Sequence, residues 1–303
     1  MKNRHHQGIG VLILTTLMWG TSFPLQKYLV DTLSPGVILT VRFAVAAIAF
    51  APWLRQLNPR LLRDGVLLGS LYFAECTVAL IGLESISANR AAFIISLNAI
   101  LVPLLSGTVL GRNLPRRVAI AAGLAVLGIG IMSWEGGGLS QGDLLTFICA
   151  LGISVYILLL EAIAPRHATL PLTAIQLWVM TLLSLAWAMP QLVNQFETMT
   201  THFNILLYLG LAVTATPIWA QAFAQRWVAA YEAALIYTLE PVFATLLSFW
   251  LLGETLGFRG LVGAGTVLLA MMLSQNAHKG IVRLVARVKL KVPGDPRTEG
   301  VSR

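Results

Sequence analysis

The chain has 303 residues, of which 57% are hydrophobic and only 11% charged, and its mean hydropathy is +0.77. Soluble domains carry about 25% charge, and a chain this apolar has too little polar surface to face water. A soluble enzyme, a nucleic-acid-binding domain and a disordered chain are thereby excluded. The net charge of +8 then reads as basic residues held in cytoplasmic loops, not as a nucleic-acid footprint. Long apolar runs, in place of short alternating ones, point to helices and not to a β-barrel.

A helix that crosses the hydrocarbon core needs about 20 apolar residues. Ten segments meet that need: 8–28, 35–54, 65–83, 89–110, 117–134, 143–163, 171–190, 204–223, 231–252 and 259–275. Most breaks between them hold Pro, Gly, Asn, Asp or charge, while those at 84–88 and 224–230 are weaker. The first span follows Lys2 and Arg4 as a signal peptide would, but it is long and lacks an Ala-x-Ala site, so it reads as retained. With a cytoplasmic N-terminus, 17 Lys and Arg fall inside and three (Lys27, Arg90, Arg259) outside, so both termini are expected in the cytoplasm. The tail from 279 carries Arg283, Arg287 and Lys291 four apart, a spacing for a helix lying on the anionic inner leaflet, and residues 293–303 read as disordered. Cys76 and Cys149 sit inside apolar runs, and the five histidines show no ligand spacing. Neither a metal nor a cofactor is expected.

The two halves overlay. Residues 88–131 match 230–273 without a gap at an offset of 142, through pairs such as Ala88/Ala230, Leu97/Leu239, Ser106/Ser248, Gly111/Gly253 and Gly123/Gly265. Residues 10–22 also match 142–154, at a different offset of 132, through Gly20/Gly152 and Ser22/Ser154. Five spans per half is an odd number, so the second half enters the membrane from the opposite side. The expected fold is an all-α polytopic membrane protein with ten transmembrane helices in two inverted five-helix repeats. Residues 1–137 form one repeat, 138–278 the other, and 279–303 a basic tail. Inverted repeats are typical of secondary transporters, with the substrate near the midplane between the halves.

Trp19-Gly20-Thr21-Ser22-Phe23, Arg42-Phe43, and Glu240-Pro241 followed by Leu252-Gly253-Glu254 resemble the motifs of the EamA branch of the drug/metabolite transporter superfamily, over residues 8–275. The first half departs from that pattern: Asn98-Ala99 stands for Glu-Pro and Gly111-Arg112 for Gly-Glu. The resemblance implies a ten-helix exporter or permease for small metabolites such as amino acids or related amphipathic solutes, multi-pass in a bacterial inner membrane. Its partners are a small-molecule substrate and the lipid bilayer, with no nucleic acid. A homodimer is left open. A sugar-phosphate or nucleotide-sugar antiporter is the alternative, although its anionic substrate wants more midspan cations than Arg42. A membrane-embedded enzyme is the remaining one, but the sequence carries no HExxH, GxSxG, paired Asp or Walker A motif.

Ionisable residues inside spans cost about 2.5–3.5 kcal/mol on insertion scales and tend to face the bundle interior. Here they are Arg42, Glu75 and Glu240. Glu75 and Glu240 are candidates to contact a substrate amine or carry a proton, and Arg42 reads as structural, one option being an ion pair with Glu75. Trp19, Ser22, Asn98, Tyr156, Trp219 and Gln221 are further candidate substrate contacts, each also compatible with plain packing. Pro103, Pro217 and Pro241, with Arg42, are candidate structural or gating residues, because each proline removes a backbone hydrogen bond. Gly20, Gly123, Gly128 and Gly130 are expected to allow close helix approach.

Overall fold

The computed structural model describes residues 2–55, 58–109, 116–134 and 139–289, and its regular structure is helical throughout. The helices are α1 (Lys2–Val30), α2 (Pro35–Phe50), α3 (Pro59–Ser85), α4 (Ala88–Ile95), α5 (Asn98–Val109), α6 (Arg116–Trp134) and α7 (Gln141–Ile163). They continue as α8 (Thr169–Asn194), α9 (Phe196–Thr201), α10 (Phe203–Gly210), α11 (Thr216–Ala224), α12 (Ala230–Tyr237), α13 (Glu240–Leu252) and α14 (Phe258–Lys289). Among the described residues, eight helical stretches are long and apolar enough to cross a membrane. The shorter apolar helices Val118–Met132 and Phe258–Leu273 occupy the places of the fifth and tenth expected spans. The Gly111-Arg112 segment and the tail beyond Lys289 lie outside the described residues.

Local chemistry sets the helix starts. Pro35 and Pro59 open α2 and α3 in the first turn, where their missing N–H costs nothing. Asn58 accepts from the Leu61 N–H, Ser87 from the Arg90 N–H, and Ser140 with Asp143 forms a capping box. The two weak breaks are real: Ile86–Ser87 and Ala229 are extended, and chains of opposite direction leave them.

Two spans are broken within the membrane: the ninth beside Pro241, where the proline had suggested a loosened backbone, and the fourth at a place the sequence reading did not anticipate. The fourth span stops at Ser96–Leu97 between α4 and α5, and the ninth at Thr238–Leu239 between α12 and α13. These positions differ by 142, the repeat offset. At each break a hydroxyl turns back onto the preceding turn: Ser96 Oγ donates to the Ala92 carbonyl (2.8 Å) and Thr238 Oγ1 to that of Leu235 (2.7 Å). The same back-bonding occurs inside the unbroken helices α1, α7 and α8 at Thr16, Thr146 and Thr181, so it accompanies the breaks without by itself making them. A proline is not required for such a break. Pro241, in the first turn of α13, cannot donate to the Tyr237 carbonyl four residues back, which reinforces the ninth-span break, whereas its counterpart Ala99 accompanies the same break without a proline. Pro103 lies inside α5 and Pro217 in the first turn of α11. The eighth span carries instead a π-turn, Leu211–Ala215, that joins α10 to α11.

The packing pairs in matched sets. Helix α1 packs on α11 and α13, as α7 packs on α3 and α5; α8 packs on α2 and α3, as α2 packs on α8 and α10; α6 packs on α14. Where α3 crosses α7, a Cβ added to Gly82 would lie 3.0 Å from the Gly142 carbonyl, and one added to Gly142 would lie 2.7 Å from the Gly82 carbonyl. Gly20 is as tightly closed by Phe243 and Ala244 of α13, and Gly128 by Gly263 and Val267 of α14. Gly123 and Gly130 have nothing within 4 Å of an added Cβ, so of the four expected close approaches two exist. The glycines without a neighbour lie on the outward side of α6.

Polar ties gather the helix ends into two groups. At one end, Lys27 Nζ donates to the carbonyls of Leu83 and Glu84, Glu254 accepts the N–H groups of Ala88 and Asn89, and Arg90 pairs with Asp143. At the other, His5 meets Glu232 (3.0 Å), His167 meets Asp64 (2.8 Å), and Glu161 accepts the Ala230 N–H. Successive spans therefore run in alternating directions. Arg90 and Glu232 are again 142 apart, each tying the start of a broken span to the start of the first helix of a half.

Candidate functional site

A cavity of about 100 Å³ lies between the halves, lined by residues of α1, α2, α3, α4, α5, α7, α11, α12 and α13. Helical spacing presents the polar wall. On α1, Trp19, Ser22, Phe23 and Gln26 lie on one face; on α3, Tyr72, Glu75, Cys76 and Ala79 do the same. Asn98 and Glu240 occupy matched places, each the first residue after its helix break, so the α5 and α13 N-termini bring them to the cavity. Both are nearly fully buried, as are Glu75 and Gln221.

Several buried acceptors lack a donor. Glu75 Oε2, Asn98 Oδ1 and Gln221 Oε1 have no hydrogen-bond partner among the described residues. Such orphans are costly in a low-dielectric interior and call for a ligand donor or water. Gly152 permits α7 to approach Glu75, with an added Cβ 3.3 Å from the Glu75 Cβ. Two aromatic pairs flank the acids: Trp19 with Tyr237 at 5.2 Å and Tyr72 with Tyr156 at 5.1 Å between ring centroids, both edge-to-face. The Tyr156 hydroxyl donates to Gln176 Oε1 (2.8 Å), so this residue offers the cavity a ring rather than a hydroxyl.

Of the candidate substrate contacts, Trp19, Ser22, Glu75, Asn98, Tyr156, Gln221 and Glu240 all line this cavity. Trp219 does not; it stacks on Phe223 at 5.7 Å, because residues 219 and 221 point to different sides of α11. Arg42, read as structural, lines the cavity, and the ion pair with Glu75 that was one option for it is not made. The sequence reading missed Gln26, Tyr72 and Tyr237, although the i, i+3, i+4 spacing around Glu75 and Trp19 could have marked Tyr72 and Gln26. Cys76 and Cys149, taken for packing residues, also face it. No group of three or more His, Cys, Asp or Glu fit for a metal occurs among the described residues.

A second buried cluster lies between the cavity and the end at which α1 begins: Leu12, Val102, Ile157, Ala224, Val228, Ala230, Ala233, Ala234 and Tyr237. Tyr237 belongs both to this plug and to the cavity wall.

The model of the EamA-like transporter family matches the chain twice, over residues 6–134 and 140–275. A relative from Archaeoglobus fulgidus, named an uncharacterized transporter, is 30% identical over 262 residues, which is 86% of this chain and 83% of the relative. The uncharacterized transporter YdfC of Bacillus subtilis is 23% identical over 268 residues, 84% of this chain and 87% of its own. A crystal structure of a protein 16% identical in sequence superposes with a TM-score of 0.63, covering 95% of this chain and 99% of the other, a likeness of fold alone. With its apolar helices and this twofold match, the chain is a multi-pass integral membrane protein, and it belongs to the EamA-like transporter family.

Proposed function

We propose that this transporter moves small organic solutes, amino acids or closely related zwitterions, by alternating access between two inverted five-helix repeats, 1–137 and 138–278, with both termini in the cytoplasm. The observation that carries the reading is the cavity between the halves, where the partnerless acceptors of Glu75, Asn98 and Gln221 stand among four aromatic rings. Acceptors of this kind suit an ammonium group, which brings three donors, and ring faces add cation–π attraction. A volume near 100 Å³ is well below the roughly 300–1,000 Å³ of pockets for drug-sized ligands, which favours a small solute. The matched helix pairings and the twofold family match support the repeat; the Lys and Arg asymmetry supports the orientation. A phosphorylated sugar is less well served, since Arg42 is the one cation among the lining residues.

The test is uptake of radiolabelled L-amino acids into proteoliposomes, beside thermal stabilisation of the purified protein by the same compounds. Saturable uptake of at least one amino acid, lost with empty vesicles, is the expected result. Uptake or stabilisation confined to phosphorylated sugars would transfer the cavity to the antiporter reading.

A further inference from the structure

We infer that Arg42 is the anion-recognition group of the cavity, receiving a carboxylate of the transported solute, and that Thr214 in the π-turn and Gln26 are its positioning residues. This rests on the transport of zwitterions proposed above.

Arg42 is buried (4% exposed) and lines the cavity. A buried guanidinium normally meets a carboxylate, because an uncompensated charge away from water is expensive. Among the described residues no carboxylate oxygen lies within 4.0 Å of it; its partners are neutral. Its Nε donates to Thr214 Oγ1 (2.9 Å) and its Nη1 to Gln26 Oε1 (2.6 Å), while the Phe43 ring centroid lies 5.4 Å from its central carbon. Guanidinium carries five N–H donors in a planar fork. Two are used, and the Nη2 edge with the second Nη1 hydrogen is left for a ligand. That edge matches the two oxygens of a carboxylate.

The positioning is built into the backbone. Thr214 Oγ1 commits its one hydrogen to the Leu209 carbonyl (2.8 Å), five residues back, a span that the π-turn Leu211–Ala215 makes available. Its lone pairs are thereby turned toward Arg42. Gly210, just before the π-turn, lets α10 press on α2: a Cβ there would lie 2.8 Å from the Arg42 carbonyl. The matching third span, α3, is a continuous helix, and it supplies Glu75 to the same cavity. The first half thus carries both the cation and the acid, and Thr214 of the second half orients the cation. A solute with both an ammonium and a carboxylate compensates each, whereas an amine alone leaves Arg42 without a counter-charge.

The competing account makes Arg42 a neutral-bonded tie between α1, α2 and the π-turn. The probes that separate the two are the standard L-amino acids, their methyl esters and the corresponding primary amines, each titrated on wild type, Arg42→Gln, Arg42→Lys and Thr214→Val by thermal stabilisation. Wild type is expected to prefer an acid over its ester by tenfold or more. Arg42→Gln should bring that ratio to near one while ester and amine affinities hold; Arg42→Lys should recover part of it; Thr214→Val should weaken the acid severalfold and leave the ester unchanged. A tie would move acid and ester together. Equal binding of acid and ester by wild type, or an unchanged ratio in Arg42→Gln, overturns the assignment. Binding of esters and amines but not acids overturns it and leaves a carrier of cations standing, whereas no binding by any of the three classes removes the amino-acid reading and this assignment together.

Discussion

Glu75 and Glu240 have similar burial and different settings, and that difference predicts different phenotypes. Glu75 sits inside the continuous helix α3, lines the cavity, and has its Oε2 buried and unpartnered. Glu75→Gln keeps shape and removes charge, so the protein is expected to remain folded in the membrane while uptake falls severalfold; unchanged uptake would make Glu75 structural. Glu240 instead opens α13 beside the helix break, where the positive end of the helix favours a carboxylate. Its proton occupancy is thus placed to bias the break, and its counterpart Asn98 cannot titrate. Glu240→Gln is expected to flatten the dependence of uptake on an imposed pH gradient in proteoliposomes. Equal rates with and without the gradient, in wild type and variant alike, would take Glu240 out of coupling. Trp219 supplies the contrast: stacked on Phe223 outside the cavity, it should tolerate Trp219→Phe with little change in uptake.

At the scale of elements, the breaks and the glycine crossings carry distinct expectations. Because hydroxyl back-bonding at Ser96 and Thr238 marks both breaks, Ser96→Ala with Thr238→Val should favour continuous helices. Turnover is then expected to slow more than binding weakens, since an alternating-access carrier needs elements that change shape between states. Pro241→Ala restores a donor to the Tyr237 carbonyl across the break, so turnover is expected to slow more than binding weakens; unchanged turnover would take the role from proline. For the crossings, Gly142→Leu forces α3 and α7 apart at a backbone contact, and overpacking of this kind costs about 1–3 kcal/mol. The expected readout is a lower midpoint of thermal unfolding in detergent. Gly123→Ala meets open space and gains helix propensity of about 1 kcal/mol, so its midpoint should hold or rise.

For the whole molecule, the matched end ties and the alternating helix directions define a bundle whose orientation depends on loop charge. In a background with Cys76 and Cys149 replaced, cysteine at Asn194 is expected to react with an impermeant thiol reagent added outside intact cells, and cysteine at Asn58 is not. The reverse pattern would turn the molecule over. In the proposed orientation the apolar plug around Leu12, Ile157 and Tyr237 closes the cytoplasmic side, and the cavity lies toward the outer half.

Long apolar helices and the turns between them were legible because they rest on local quantities, apolar length and turn chemistry; the offset of 142 reappears in the positions of the two helix breaks. The sequence also marked seven cavity residues, since a polar group at membrane depth is expensive enough to stand out against its neighbours. What it could not supply depends on which faces meet. Trp219 and Gln221 are two residues apart and indistinguishable by composition, yet only one reaches the cavity. Arg42 looked like a partner for Glu75 by charge alone, and became a cavity cation because Gln26 and Thr214, 16 and 172 residues away, hold it. The break at Ser96 was hidden in an apolar run, because serine and threonine are tolerated in such helices and hydroxyls also turn back inside unbroken ones, as at Thr16 and Thr146. Sequence patterns fix the solvent and the length of each element; the tertiary fold decides which charge faces which, because that follows from contacts between residues far apart in the chain.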